Sequence, residues 1–167
     1  MIKNIIGAAA AAVMLTARQF TVPKEFQSLR DDRGNICGFV EMLPGELYER
    51  LGLKLLTNDN FTETKSAQRS RSVSYGEKHT WEPMICFFGA NDDHPLIEYV
   101  LYDKNIAENV WFSVSYSADN DNSDGLSDLV VSDDTASFVL DGARYHLTFD
   151  DSDNADMRQV LADLGVL

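Results

Sequence analysis

Residues 136–149 have the sequence ASFVLDGARYHLTF, in which Asp141-Gly142 lies between two runs of alternating apolar and polar residues. A two-residue loop of this composition favours a type I′ turn, because both of its positions need a positive φ angle. The turn sets a register with one apolar face, so the pattern predicts a half-buried β-hairpin. The apolar face pairs Leu140 with Ala143, Phe138 with Tyr145 and Ala136 with Leu147, and the other face holds Ser137, Val139, Arg144 and His146.

The chain on the N-terminal side of this hairpin predicts further strands. In Val110–Tyr116 the apolar even-numbered residues alternate with Trp111 and two serines, which indicates a strand with one wet face. Residues 84–88 and 96–102 are rich in apolar, β-branched and aromatic residues, and residues 36–42 form another strand candidate. Because no long helical pattern separates the strands after residue 81, the sheet is predicted to be antiparallel.

Two helices are predicted beside the strands. The first covers residues 44–56 and begins with a proline, which is tolerated in a first turn. The second covers about residues 154–164, with Asp153 or Asn154 as its cap and Gly165 at its end. The residues at helical spacing on their inner faces are Leu47, Leu51, Lys54 and Leu55 in the first and Met157, Val160, Leu161 and Leu164 in the second.

Length and composition favour one folded unit. The chain has 167 residues, and a hydrophobic content of 44% with 10% aromatic residues is typical of a globular protein. The sequence therefore predicts the α+β class, with a single domain over residues 18–167. This domain is expected to contain an antiparallel β-sheet or sandwich with two or three flanking helices, and an acidic C-terminal half.

Residues 1–17 allow two interpretations. Lys3 precedes the apolar run Ile5–Leu15, and Ala17 supplies a small residue for cleavage, which is the pattern of an export signal peptide. Alternatively, the alanines of this stretch favour an N-terminal helix or arm packed against the domain. The apolar run is shorter than the about 20 residues that a membrane-spanning helix needs, so no transmembrane span is predicted.

Charge is divided unevenly along the chain. Residues 1–86 contain 11 Lys or Arg and 10 Asp or Glu, whereas residues 87–167 contain 3 and 17. With a pI near 4.4, direct binding to nucleic-acid phosphates is not expected, because it needs a basic surface. The acidic half predicts a protein partner with a basic or complementary surface, in an oligomer or assembly. In the polar stretch 61–80, Arg69-Ser70-Arg71 is either a small basic contact loop or part of an exposed loop or edge strand.

Residues 120–128, NDNSDGLSD, place oxygen-bearing side chains at positions 1, 3, 5 and 9 and a glycine at position 6. This spacing suits a hard cation such as Ca²⁺. The stretch resembles the calcium loops of thrombospondin type 3 repeats and of FG-GAP repeats, although Asn120 replaces their first aspartate and the loop occurs once. The resemblance implies a weak calcium site, with a plain acidic β-loop as the alternative. The implied ligands are the side chains of Asn120, Asn122, Asp124 and Asp128 and the backbone carbonyl of Leu126.

Cys37 and Cys86 are the only cysteines. In an exported protein the two form a candidate disulfide, and otherwise their apolar surroundings predict buried free thiols. His79, His94 and His146 are dispersed along the chain and are expected on the surface.

No catalytic motif accompanies these features: the chain contains no G-x-S-x-G, H-E-x-x-H, P-loop or G-x-G-x-x-G pattern. The sequence therefore predicts a non-enzymatic structural or interaction subunit of a larger assembly, such as a virion or a cell-envelope complex. The alternative is an exported periplasmic or extracellular binding module with a cleaved leader and bound calcium. A hydrolase whose Ser, His and Asp groups meet only in three dimensions is a third class.

Overall fold

A computed structural model describes residues 23–27, 36–40, 42–63, 69–75, 78–84, 86–91, 94–116, 125–149 and 156–167. In these ranges the chain forms ten strands, two α-helices and a short 3-10 helix, Lys24–Phe26. The helices are α1 (Pro44–Leu51) and α2 (Met157–Asp163). The strands are β1 (Ile36–Val40), β2 (Phe61–Glu63), β3 (Arg69–Tyr75), β4 (Lys78–Met84), β5 (Cys86–Asn91), β6 (His94–Asp103), β7 (Glu108–Tyr116), β8 (Leu126–Val131), β9 (Thr135–Leu140) and β10 (Ala143–Phe149).

Seven of the strands form one antiparallel sheet in the order β1-β5-β6-β7-β10-β9-β8. β2 also pairs with β6, while β3 and β4 form a separate two-stranded hairpin. The predicted α+β class with an antiparallel sheet is therefore confirmed. The stretch 69–71 lies within β3, where the sequence allowed either a contact loop or an edge strand. The predicted strand at 84–88 is divided, because β4 ends at Met84 and β5 begins at Cys86.

The predicted hairpin at residues 136–149 is confirmed in its turn and in its register. Asp141 has a φ of 49° and Gly142 a φ of 80°, as a type I′ turn requires. All three predicted pairs are present, and their residues face the core. The opposite face holds the predicted residues and is covered in part, because Val139 is buried there, whereas Arg144 and His146 are exposed.

The main core lies between one face of the sheet and the two helices. Tyr99 of β6 and Phe112 of β7 stack at its centre, with ring centroids 4.9 Å apart and an interplanar angle of 6°. This close stacking joins neighbouring strands across the middle of the sheet. The helices bring their apolar residues onto the same cluster, which includes Leu47 and Tyr48 from α1 and Met157, Val160, Leu161 and Leu164 from α2.

The predicted length of the first helix was wrong, because α1 ends at Leu51 and not near residue 56. Gly52 adopts a left-handed φ of 66°, and its N–H donates to the carbonyl of Glu49. The N–H of Leu53 donates to the carbonyl of Tyr48 at 2.9 Å. These two bonds form a Schellman motif, which closes the helix and leaves residues 53–58 irregular. Lys54 and Leu55 therefore lie beyond the helix.

The start of α1 is capped from a distant strand. Its N-cap residue, Leu43, has no side-chain acceptor, and the carboxylate of Glu63 in β2 accepts the Gly45 N–H at 2.8 Å. A Cβ atom at position 45 would lie 2.7 Å from Glu63 Oε1, so glycine allows this close approach. A carboxylate at a helix N-terminus also favours the helix dipole. This contact links α1 to the sheet.

The second helix has the predicted apolar stripe and end but a different cap. The carboxylate of Asp156 accepts the Arg158 N–H at 2.8 Å, so Asp156 is the N-cap. The residues predicted for this role, Asp153 and Asn154, lie outside the described residues. Gly165 has a φ of 74° and ends the helix, as predicted.

β2 and β5 lie on the same edge of β6 and run in the same direction. Glu63 is opposite Leu101, and Cys86 is opposite Tyr99, so one register position, that of Val100, lies between the two strands. The end of β2 and the start of β5 are thus about 7 Å apart along the strand axis. The β3–β4 hairpin belongs to the segment that connects them.

Residues 1–17 lie outside the described residues, so both interpretations of this stretch stay predictions. In the part of the chain that the structure describes, no helix is long and apolar enough to cross a membrane.

Candidate functional site

In the described residues the sheet ends at β1 on one side and at β8 on the other, and β8 has the exposed apolar residues. Among the described residues, this strand pairs with β9 on one side and with no strand on the other. Pairing is irregular between Ser127 and Val130, and Asp128 has a φ of 53°. A positive φ at an unpaired position is typical of a β-bulge, which bends an edge strand and interrupts its ladder. β8 therefore offers two short paired segments on either side of a bulge.

Apolar side chains are exposed on both faces of this edge. Leu126 is 41% exposed and Val130 is 63% exposed, and in the described ranges the only other large hydrophobic side chain with comparable exposure is Leu167. Leu126 is opposite Leu140 on the core side, whereas Val130 is opposite Ser137 on the other face. An edge strand also presents backbone N–H and C=O groups to the outside, which makes it a template for strand pairing.

Acidic residues surround this edge. Asp128, Asp133, Asp134 and Asp141 are all exposed. Asp128 contacts Arg144 at 3.2 Å, in an exposed ion pair. The edge therefore carries negative charge next to its apolar residues, which favours a basic partner.

The predicted calcium ligands are only partly within the described residues. Leu126 and Asp128 lie in β8, where the Asp128 carboxylate accepts a hydrogen bond from Arg144. Gly125 has a φ of 83°, a left-handed conformation that favours glycine. Asn120, Asn122 and Asp124 lie outside the described ranges, and within those ranges no cluster of three or more His, Cys, Asp or Glu could hold a metal ion. Calcium binding stays a prediction.

A cavity of about 400 Å³ opens between the β9–β10 turn and the segment after α1. Its walls are about equally polar and apolar, with polar groups from Lys54, Thr57, Tyr116, Asp141 and Tyr145 beside leucine side chains. Burial raises the pKa of Tyr116 to about 12 and also raises that of Tyr145, so both phenols are protonated at neutral pH. The volume falls within the range of small-molecule sites. The lining residues are Leu53, Lys54, Leu55, Leu56, Thr57, Tyr116, Leu140, Asp141, Ala143, Tyr145 and Leu164.

Two further tyrosines lie deeper behind this cavity. The rings of Tyr48 and Tyr99 meet edge to face, with centroids 5.5 Å apart. Burial raises the pKa of both phenols well above the usual value, and each acts electrostatically on the other. Their hydroxyls do not reach hydrogen-bonding geometry with any group in the described ranges. The core thus contains two hydroxyl groups that lost their hydrogen bonds to water on folding and did not gain full hydrogen bonds within the protein.

We expect Tyr99→Phe to raise the free energy of unfolding by about 1 kcal/mol, because it removes a buried hydroxyl that lacks a hydrogen bond and keeps the ring. Urea denaturation followed by fluorescence measures the change. Tyr145→Phe is the matched control, since the Tyr145 hydroxyl lines the cavity, is not one of the buried hydroxyls without a partner, and should gain no stability on removal. Equal stabilisation by both substitutions would contradict this prediction.

Cys86 has the chemistry of a structural thiol. It is buried, its Sγ donates to the Met42 carbonyl at 3.3 Å, and burial raises its pKa to about 12, with a smaller contribution from Glu63. A protonated thiol is a poor nucleophile. Cys86 is free and opposite Val40, whereas Cys37 is opposite Gly89. A bridge between the two cysteines needs β1 to shift along β5, because bridged Cα atoms lie about 4.4–6.8 Å apart.

The predicted surface histidines lie on different strands, in β4, β6 and β10, and His146 is exposed. The cavity lined by Tyr116 and Tyr145 is called the tyrosine cavity below. The sequence contained a signal for it that was not recognised. Tyr99, Tyr116 and Tyr145 each occupy an apolar position in a strand alternation, which brings a phenol to the core face.

Comparison of the chain with protein-family models, with curated proteins and with solved structures finds no match.

Proposed function

We propose that this protein is a non-enzymatic interaction subunit of a larger assembly, and that its β8 edge pairs with an extended, basic segment of a partner protein. The observation that carries the proposal is the edge itself, where exposed Leu126 and Val130 adjoin a side without a paired strand in the described residues. A virion or a cell-envelope complex is the kind of assembly that we propose.

In strand addition, the partner contacts both the backbone and the side chains of β8. An added strand gains main-chain hydrogen bonds from the edge, and its alternate side chains contact the two faces of the sheet. Leu126 offers an apolar contact on the core side and Val130 one on the opposite side. The surrounding carboxylates of Asp133, Asp134 and Asp141 favour lysine or arginine at the solvent-facing positions of the partner.

The bulge at Asp128 restricts which strands can pair here. Edge strands without such an irregularity pair readily with copies of themselves, and a bulge opposes this by bending the edge. A second copy of β8 would also bring like charges together, because Asp128 is exposed on each copy. The edge is therefore better suited to a different, basic strand than to self-association.

The test uses two labelled peptides of alternating valine and lysine or alternating valine and glutamate, with binding followed by fluorescence anisotropy. We expect the lysine peptide to bind more tightly. Leu126→Ser with Val130→Ser should weaken that binding by about tenfold or more, because the contact of an exposed Leu or Val with a partner contributes about 1.5 kcal/mol or more. Leu167→Ser is the matched control, since it removes another exposed apolar side chain away from this edge. Equal binding of both peptides, or an equal loss in the control, argues against the proposal.

A second candidate function is supported by the tyrosine cavity. Its volume and its mixed polar and apolar walls suit a small molecule with several hydrogen-bonding groups, as in an exported binding module. The two functions differ in the peptide experiment, because a small-molecule binding module predicts no difference between the parent and the β8 variant. Calcium in the 120–128 loop belongs to this second function.

A further inference from the structure

Two buried carboxyl groups meet where the end of β6 packs against the C-terminal end of α2. Asp103 is the last residue of β6 and is 0% exposed, and Asp163 is the last residue of α2 and is 9% exposed. The β2 end brings them together, because Phe61 is opposite Asp103 and the neighbouring Asn60 donates to the Asp163 carbonyl. The two carboxyl groups also interact electrostatically. These two residues, the carboxyl pair, are not part of the edge or the cavity described above.

Each carboxyl group has one oxygen with a protein donor and one without. Asp103 Oδ1 accepts the Asn105 N–H at 2.9 Å, and Asp163 Oδ1 accepts from Gln159 Nε2 at 3.0 Å. The Oδ2 atoms of both residues are buried and have no donor in the part of the chain that the structure describes. Each carboxyl group therefore keeps one buried oxygen without a donor.

The end of α2 adds negative potential to the carboxyl pair. Asp163 lies at the C-terminus of α2, where the helix dipole is negative. Its carbonyl accepts the side-chain amides of Asn58 at 2.7 Å and Asn60 at 2.9 Å. In the described ranges, no cation forms an ion pair with either carboxyl group. The other charged residues of the elements packed here are Asp59 and Glu63 around β2, Lys104 and Glu108 beside the β6–β7 turn, and Asp156 and Arg158 at the opposite end of α2.

We propose that Asp103 and Asp163 form a carboxylic acid–carboxylate pair that holds one proton between its Oδ2 atoms and fastens the C-terminal end of α2 to the sheet. Two buried carboxyl groups that interact with each other repel strongly when both are ionised, so a proton is retained by one of them. A metal ion is a poorer occupant than a proton. The two free oxygens fall far short of the about 6–8 ligands that calcium takes.

The direction of the pH effect follows from the buried acid. Burial raises the pKa of Asp103 above its ordinary 3.8, the N–H groups of Asn105 and Ile106 oppose this, and Asp163 adds to it. In the unfolded chain the same carboxyl ionises near 3.8. The pair therefore contributes its full stability below that pH, and the contribution is lost as the pH rises through the higher pKa of the folded state. Ionisation of Asp103 then loosens the end of α2.

The experiment measures unfolding by urea between about pH 4 and about pH 8 in the parent, Asp103→Asn and Asp59→Asn. In Asp103→Asn, the side-chain amide can donate to Asp163 and carries no proton that titrates in this pH range. Relative to Asp103→Asn, the unfolding constant of the parent should rise by up to about tenfold per pH unit between the two pKa values. Asp59→Asn, which removes an exposed charge from the neighbouring turn, should keep the pH dependence of the parent.

Carbon NMR of the Asp103 carboxyl tests the pair without relying on the stability of a variant. The parent should titrate above 3.8, and Asp163→Asn should bring the Asp103 titration back towards that value. A parent titration at or below 3.8, or equal pH dependence of unfolding in the parent and Asp103→Asn, overturns the proposal. This inference is independent of what binds the β8 edge.

Discussion

Phe112→Ala is expected to lower the free energy of unfolding by about 3–5 kcal/mol, which is the usual cost of removing a large aromatic side chain from a core. Phe112 is 1% exposed and stacks on Tyr99 at the centre of the sheet. It is also opposite Leu147 of β10, so its removal leaves a cavity that two strands border. Because the neighbouring strands are fixed by their ladders, the cavity should collapse only in part. Urea denaturation measures the loss.

The control for this prediction is Ser113→Ala. Ser113 follows Phe112 in β7 but lies on the opposite face, where it is half-buried. We expect a change within about 0.5 kcal/mol for this substitution. If Phe112→Ala were no more destabilising than Ser113→Ala, the face of the sheet that contains Phe112 would not be the core face.

Leu161→Ala is expected to lower the free energy of unfolding by about 2–5 kcal/mol. Leu161 is fully buried in the cluster that α2 shares with the sheet. A helix of seven residues is too short to be stable by itself in water, so its packing on the sheet must hold it. The loss should therefore include the helix as well as the side chain. Thermal unfolding followed by far-ultraviolet circular dichroism measures it.

Arg158→Ala provides the comparison on the same helix. Arg158 is exposed, and alanine has a higher helix propensity, so the change should be small. A similar loss from Arg158→Ala and Leu161→Ala would show that α2 does not pack through its apolar stripe.

The elements that were predicted correctly depend on short-range rules. The 136–149 hairpin follows from one turn dipeptide and a period of two, and the inner face of α2 follows from four apolar residues at helical spacing. The end of α1 was misplaced because the apolar spacing continues to Leu55. Gly52 was the better signal, since a left-handed residue closes a helix whatever follows it.

The features that were missed depend on contacts between distant parts of the chain. Asp103 and Asp163 are separated by 60 residues, and a charged residue near a turn gives no sign that its carboxyl is buried. Likewise, the position of β8 at the sheet edge follows from the order in which strands assemble, which the alternation within each strand does not fix. Acidic charge in the second half was predicted, but its position beside exposed apolar residues was not.

The arrangement of β2 and β5 along β6 shows how this chain accommodates extra length. The two strands are in effect one strand with a gap of a single register position, opposite Val100. Everything between residues 63 and 86, including the β3–β4 hairpin, is an insertion into that strand. Such an insertion can grow, shrink or exchange its sequence while the hydrogen-bonded partners of β6 keep their places. The hairpin can thus change without disturbing the pairing of β6, which is constrained along both of its edges.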